Sequence, residues 1–214
     1  MNNLLKIFVA ATLLTATACG PRIYQSKDLP SAVRTHKTVA ILPAQVTVKL
    51  RPNEAKRMTA DQLEDLQERT ALDIQDKMHG WLLNRSDRFH YSVSFQDVSR
   101  TNARLREAGM DVGDLSASDR GEIAKALGVD AVIQSRLVMD KPMSDGAAVA
   151  IGLLVGAWGS TNNVQSTINI HDGTSGNLLW KYDYQASGSV GSSTQGLVDA
   201  LMRNATRHFP YKDK

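Results

Sequence analysis

The chain holds one cysteine, Cys19, at the end of an apolar and small-residue run that begins at Ile7. One thiol cannot close an intrachain disulfide, so any fold this chain adopts has to be held by a packed core. Where that thiol sits matters equally. The first twenty residues read MNNLLKIFVAATLLTATACG, with Lys6 ahead of the run and small residues directly before the cysteine. A basic start, a short apolar middle and a small-residue cleavage region make up a secretory signal peptide. The middle falls well short of the roughly 20 apolar residues that a membrane-spanning helix needs. Residues 1–18 are therefore expected to be a signal peptide, with the cut at Cys19.

The core that remains has to come from residues 19–214. Hydrophobic residues make up 42% of the chain and charged residues 22%, the balance of a globular domain rather than a disordered one. About 195 residues give room for a single domain with decorations. Of the 25 basic residues Lys6 leaves with the signal, and 22 acidic residues oppose the rest, so the mature chain is nearly neutral. No run of Lys and Arg interleaved with aromatics occurs, and nucleic acid is not expected as a partner.

Residues 19–37 mix proline, serine and charge without period and read as a tether. Thr38-Val-Ala-Ile-Leu-Pro43 is a short apolar run closed by proline, hence a buried strand, and Val46, Val48 and Leu50 alternate as though it resumes past a kink. Thr59 with Gln62 matches a capping box. Leu63, Leu66, Thr70, Ile74, Met78, Trp81 and Leu82 then mark one apolar stripe of a long helix running to about Arg85. A short coiled coil is the rival reading of that stripe. Phe89, Tyr91, Val93 and Phe95 alternate with polar residues and predict a strand. A polar helix is expected over Arg100–Ala108, stopped by Gly109. A second, capped by Ser116 or Ser118, carries Ile123, Ala124 and Leu127 inward and stops at Gly128 before a strand over Val129–Val138. Val164, Ile168 and Ile170, the turn His171–Gly176 and the run Asn177–Ala186 predict an antiparallel hairpin, with Trp180 packed beneath it. A last helix capped by Ser192 or Ser193 ends before Pro210. The order predicts an α/β fold: a mixed sheet of about five strands with a late antiparallel hairpin, covered by three to four helices, in one domain over 38–211.

Signals for catalysis are sparse. There is no GxSxG, HExxH or phosphate-binding loop, and the five histidines show no ligand spacing along a helix. Asp172 sits in an Asp-Gly turn whose own hydrogen bonds account for it. Gly188–Ser193, which would place glycines at a helix start, is explained by a strand-to-helix turn with a serine cap. No cofactor, metal ligand set or catalytic residue is expected. The unusual segment is 146–159, GAAVAIGLLVGAWG, with no charged side chain. Ala148, Gly152 and Gly156 share one helical face and Trp158 closes the segment. It is too short to span a membrane as a helix. One reading buries it in the domain's own core or a subunit contact; the other makes it touch the membrane or line an oligomer. Ala148, Gly152, Gly156 and Trp158 are the residues expected to make such a contact.

Ala16-Thr17-Ala18-Cys19 resembles the bacterial lipobox, departing from it at Ala16, where leucine is preferred. The alternative is an ordinary signal peptide with an incidental cysteine. The resemblance implies acylation of Cys19 and its exposure as the mature N-terminus, and Gly20 in place of Asp implies sorting to the outer membrane. With that start, TVAILP, LGVDAVIQSRLV and INIHDGTSGNLLWKYD together resemble periplasmic lipoproteins with a TolB N-terminal-like or CsgG-like α/β domain, the group that includes CsgG, PelC and LpoB. Pro43, Leu127 to Ile133 and Asp172 to Trp180 occupy the family's strand end, helix-to-strand junction and late hairpin. The resemblance implies an outer-membrane lipoprotein facing the periplasm, held by its N-terminal lipid, non-catalytic, and acting with envelope proteins or as a homo-oligomer in envelope assembly or export. Regulation of a cell-wall synthesis enzyme is the alternative it implies.

Overall fold

Proline lacks the N–H that a strand ladder requires, and the fold is organised around that gap at Pro43. The computed structural model describes residues 21–50, 52–56, 58–140, 163–187 and 194–212. The first strands of the chain are β1 (Arg22–Gln25), β2 (Thr38–Ile41) and β3 (Gln45–Lys49). Both β2 and β3 run parallel to β5 (Ala131–Asp140), with Ile41 opposite Ile133 and Gln45 opposite Arg136. Three residues, Leu42, Pro43 and Ala44, therefore face two, Gln134 and Ser135. This is a bulge that turns one interrupted strand into two. Leu42 still donates to Ile133 (2.9 Å), while the Ala44 N–H turns away to the carbonyl of Ala71 (3.2 Å). The expected resumption past a kink is found.

On the other side of β5 the chain runs antiparallel through β6 (Asn163–Asp172) and β7 (Leu178–Ser187), and β1 adds to β7 as an edge strand. The seven-stranded sheet has the order β1-β7-β6-β5-β2-β4, with β4 (Ser94–Phe95) at the far edge and β3 beside β5. The mixed α/β fold and the late hairpin are as predicted; there are two more strands than the five expected. One extra strand is β1. It lies in the segment read as a tether, which also forms helix α1 (Leu29–Thr35). Nothing in its composition marks Arg22–Gln25 as a strand, because an edge strand half open to solvent needs no apolar run.

Two helix pairs cover the sheet. Helix α3 (Ala60–Leu83) follows a single turn, α2 (Pro52–Ala55), and crosses β2 and β3; the last helix, α7 (Thr194–Ala205), lies beside it. The Thr59–Gln62 capping box forms with both hydrogen bonds. The predicted stripe is buried from Leu66 on, Ile74 and Leu82 completely, with Leu63 partly buried at its start, so α3 is a core helix and not a coiled coil. Gln75, fully buried among these residues, donates to the Ile41 carbonyl (2.7 Å) next to the bulge. The opposite face carries α5 (Val98–Glu107) and α6 (Arg120–Leu127), which enclose a smaller core of Leu42, Leu105, Leu115, Ile123, Leu127 and Val132. Gly128 stops α6 in the left-handed region, φ 63°. The cap of α6 is Asp119 rather than Ser116 or Ser118. Its carboxylate accepts from the Gly121 and Glu122 amides (2.8 and 3.0 Å), and the serines precede it in a 3-10 turn and a bend.

The strand expected over Phe89–Phe95 is largely replaced. Phe89 ends a helical turn, α4 (Ser86–Phe89), and His90 adopts φ 45°, a left-handed value sequence alternation does not announce. The alternation still sorts the side chains. Tyr91 meets Phe89, Phe95 and Phe209 edge-on at 6.2, 5.3 and 6.0 Å between ring centres. Packing of those rings on the C-terminal segment, where Tyr91 bridges to Lys212, takes the place of a longer ladder.

Register fixes the two ends of the sheet. The start of β5, the end of β6 and the start of β7 meet at the turn end, with the hairpin turn, the end of α1 and the C-terminal residues 209–212. Asp140, Asn163 and Ser187 lie side by side at the opposite end. Segment 146–159, with Ala148, Gly152, Gly156 and Trp158, lies outside the described residues, as do Cys19 and the serines expected to cap α7.

Candidate functional site

At the turn end three residues far apart in sequence converge. His36 follows α1, its backbone N–H closing the helix on the Ala32 carbonyl (2.9 Å). One ring nitrogen, Nδ1, lies 2.7 Å from the Tyr211 hydroxyl, and the other, Nε2, lies 3.0 Å from Asp172 Oδ1. His36 is 5% exposed and Tyr211 wholly buried. A carboxylate only accepts, so Nε2 carries the proton toward Asp172; in the neutral ring Nδ1 then accepts from the phenol. With the ring neutral, donation runs from tyrosine to histidine to aspartate.

Each member is set from a second side. Asp172 uses its other oxygen, Oδ2, in the hairpin turn, where it accepts from the Ser175 hydroxyl (2.7 Å) and the Ser175 and Thr174 amides (2.7 and 3.2 Å). Turn chemistry accounts for half of this carboxylate and His36 for the other half. Burial works to raise the Asp172 carboxyl, but the Ser175 and His36 hydrogen bonds outweigh it and hold the group below the usual carboxylate range. Tyr211 gives its carbonyl to the Ser92 amide (2.8 Å). Burial pushes its phenol well above the ordinary tyrosine value, and the nearby Asp172 charge adds to this. Asp130 closes the neighbourhood, accepting from the Lys37 and Thr38 amides (2.7 and 2.8 Å) where β2 begins.

Beside His36 a shallow groove of about 520 Å³ opens between α1 and the C-terminal residues, lined by Val33, Arg34, Lys37, Ser92, Pro210 and Lys212. Three of these are cations, so the groove attracts carboxylates. A wholly buried phenol that keeps its proton is neither a nucleophile nor a base at neutral pH. The triad acts as a clasp joining α1, the hairpin turn and the C-terminus. Sequence reasoning took His36 and Asp172 one at a time and did not reach Tyr211 in this role. The separations are 136 and 175 residues, and no local pattern pairs residues at such distances.

Among the described residues no group of three His, Cys, Asp or Glu is placed to hold a metal, and no helix is long and apolar enough to cross a membrane. Cys19, Ala148, Gly152, Gly156 and Trp158 are outside the described residues. The chain positions that flank 146–159, Asp140 and Asn163, stand at the end of the sheet opposite the clasp.

No protein-family model matches the chain, and no curated protein matches it in sequence. Among solved structures it is similar to the lipoprotein GNA1162 from Neisseria meningitidis, at 13% identity over 80% of this chain and 96% of that one, with a TM-score of 0.44. It is similar to the PelC dodecamer from Paraburkholderia phytofirmans at 11% identity over 91% and 97% of the two chains, TM-score 0.42. It is also similar to LpoB from E. coli, solved by NMR, at 9% identity over 75% and 64%, TM-score 0.43.

Proposed function

We propose that this chain is a lipoprotein of the bacterial envelope, acylated at Cys19, held at the periplasmic face of the outer membrane, and acting through protein contacts in envelope assembly or export rather than by catalysis. The reading is carried by one observation: the lipobox-like Ala16–Cys19 stands directly before a domain whose first strand starts at Arg22. An acylated thiol at that place ties a folded body to the bilayer. Two further features support the contact role. The most elaborate polar arrangement among the described residues is a closed clasp, and the accessible feature beside it is a cationic groove suited to acidic side chains of a partner. The charge-free segment 146–159 provides the second contact, with Ala148, Gly152, Gly156 and Trp158 meeting the membrane or a neighbouring copy.

Changing Cys19 to Ala tests the anchor. The expected result is an uncleaved precursor or a released soluble form, seen as a change in electrophoretic mobility and in membrane fractionation. Unaltered mobility together with unaltered fractionation would falsify the reading.

A further inference from the structure

The groove beside the clasp has two walls drawn from opposite ends of the chain. One is the end of α1 and the residues after it, with Val33, Arg34, His36 and Lys37; the other holds Pro210 and Lys212. The hydrogen bond that joins wall to wall is the one between His36 Nδ1 and the Tyr211 hydroxyl, at 2.7 Å. Tyr211 stands between Pro210 and Lys212 in the chain, so this bond sets the spacing of the walls. Lys212 is held from a second side, its ammonium 4.6 Å from the centre of the Phe89 ring. A site kept at its working spacing loses less freedom on binding than one that has to be assembled.

The charges in the groove are uncompensated. Arg34, Lys37 and Lys212 have no carboxylate within ion-pair distance among the described residues, whereas Arg69, Lys77 and Lys181 each have one. Acids stand close by, but they are engaged elsewhere. Asp130 takes the Lys37 and Thr38 amides, and Asp172 is shared between His36 and the hairpin turn. Alongside the cations, Val33 and Pro210 offer apolar surface and Ser92 a hydroxyl. Cations on both walls with apolar contact beside them suit a stretch of peptide bearing carboxylates better than one small anion. The anchoring bilayer is the rival occupant, and the topology disfavours it. β1 runs antiparallel to β7, with Gln25 opposite Trp180 toward the turn end and Arg22 opposite Asp183 toward the other. The N-terminal chain therefore enters the sheet from the end opposite the groove.

We infer that this groove is the docking site for an acidic, extended segment of a partner protein, and that His36 and Tyr211 are positioning residues that hold its two cationic walls at binding distance. The inference rests on the contact role proposed above and names the partner's chemistry.

The test uses the full mature chain in neutral detergent. The probe is a short dye-labelled peptide of alternating glutamate and serine, with a glutamine and serine peptide as the uncharged control, read by fluorescence anisotropy. The glutamate peptide should bind and the control should not. Arg34→Ala with Lys37→Ala should weaken binding about tenfold. Arg106→Ala with Lys125→Ala, which removes exposed cations of α5 and α6, should leave it unchanged. Tyr211→Phe keeps every charge and should still weaken binding severalfold, measured well below its thermal midpoint so that lost stability does not enter. No binding by the wild-type chain overturns the inference. Equal losses in the two double variants reduce the effect to general charge attraction and overturn it too, as does wild-type affinity in Tyr211→Phe. Displacement of the peptide by dihexanoylphosphatidylglycerol at lower concentration than by unlabelled peptide would assign the groove to lipid and overturn it as well. Peptide binding as expected, beside unaltered mobility and fractionation of Cys19→Ala, would uphold the groove while the anchor reading fails.

Discussion

Trp180 and Tyr211 show how much of this fold is decided by single buried rings. Trp180 is fully buried, stacked on Tyr182 at 5.8 Å between ring centres and edge-on to Phe209 at 6.0 Å. Replacing it with alanine removes an aromatic from the middle of the main core. The expected loss is about 3–5 kcal/mol, read from the denaturant midpoint at unchanged slope. Tyr211→Phe is a gentler change of a different kind. It preserves the ring and removes the hydroxyl that meets His36, leaving a buried ring nitrogen without its partner, and should cost about 1–3 kcal/mol. Phenol burial also sets an alkaline limit. Tyr91 is pushed up to about 12 by burial, against the opposing charge of Arg85, and Tyr211 is raised as well, so the folded chain holds both protons more tightly than the unfolded chain. Their contribution is whole below about pH 10, where the unfolded phenols begin to ionise, and is lost as pH rises through the folded values. Asp172 has the opposite sign: its lowered carboxyl stabilises above about pH 4 and that contribution fades as acid protonates it. Urea midpoints that stay level from pH 8 to about 11 would contradict the tyrosine assignment.

Among the elements, the long helix α3 is the one whose start has the plainest local cause. Thr59 Oγ1 accepts from the Gln62 backbone amide (3.2 Å), and Gln62 Oε1 accepts from the Thr59 backbone amide (3.0 Å). Thr59→Ala should cost about 1 kcal/mol and fray the first turn, visible as faster amide exchange at residues 61–63 with the helix centre still protected. The interior of α3 is anchored by tertiary contact instead. Gln75 reaches the Ile41 carbonyl, exchanges hydrogen bonds with Asn102 at 3.0 Å, and so ties α3 to both β2 and α5 beside the bulge. The element least like its sequence pattern is the stretch from Phe89 to Phe95. Its period of two describes which rings are inward, but ladder formation needs a neighbouring strand, and β2 offers β4 only the pairs Thr38–Ser94 and Val39–Phe95.

At the scale of the whole molecule, the two ends of the sheet carry different features. The clasp and the cationic groove occupy the turn end, while the chain leaves β5 at Asp140 and returns at Asn163 at the other. If the segment between them meets a neighbouring copy, Gly152→Leu should weaken self-association in crosslinking and light scattering while the thermal midpoint stays in place, because close backbone approach requires the missing side chain. A strictly monomeric wild-type chain would remove that role. What this sequence determined by itself is local in origin. The capping box of α3, the glycine stop of α6, the proline break after β2 and the alternation of β6 and β7 each follow from residues a few positions apart, because capping, φ preference and side-chain period act over one or two turns. The tertiary structure alone decided that Arg22–Gln25 is a strand, since an edge strand takes its hydrogen bonds from β7, more than 150 residues away. It alone brought His36, Asp172 and Tyr211 together: a hydrogen bond across 175 residues depends on chain topology, and no short-range rule encodes it.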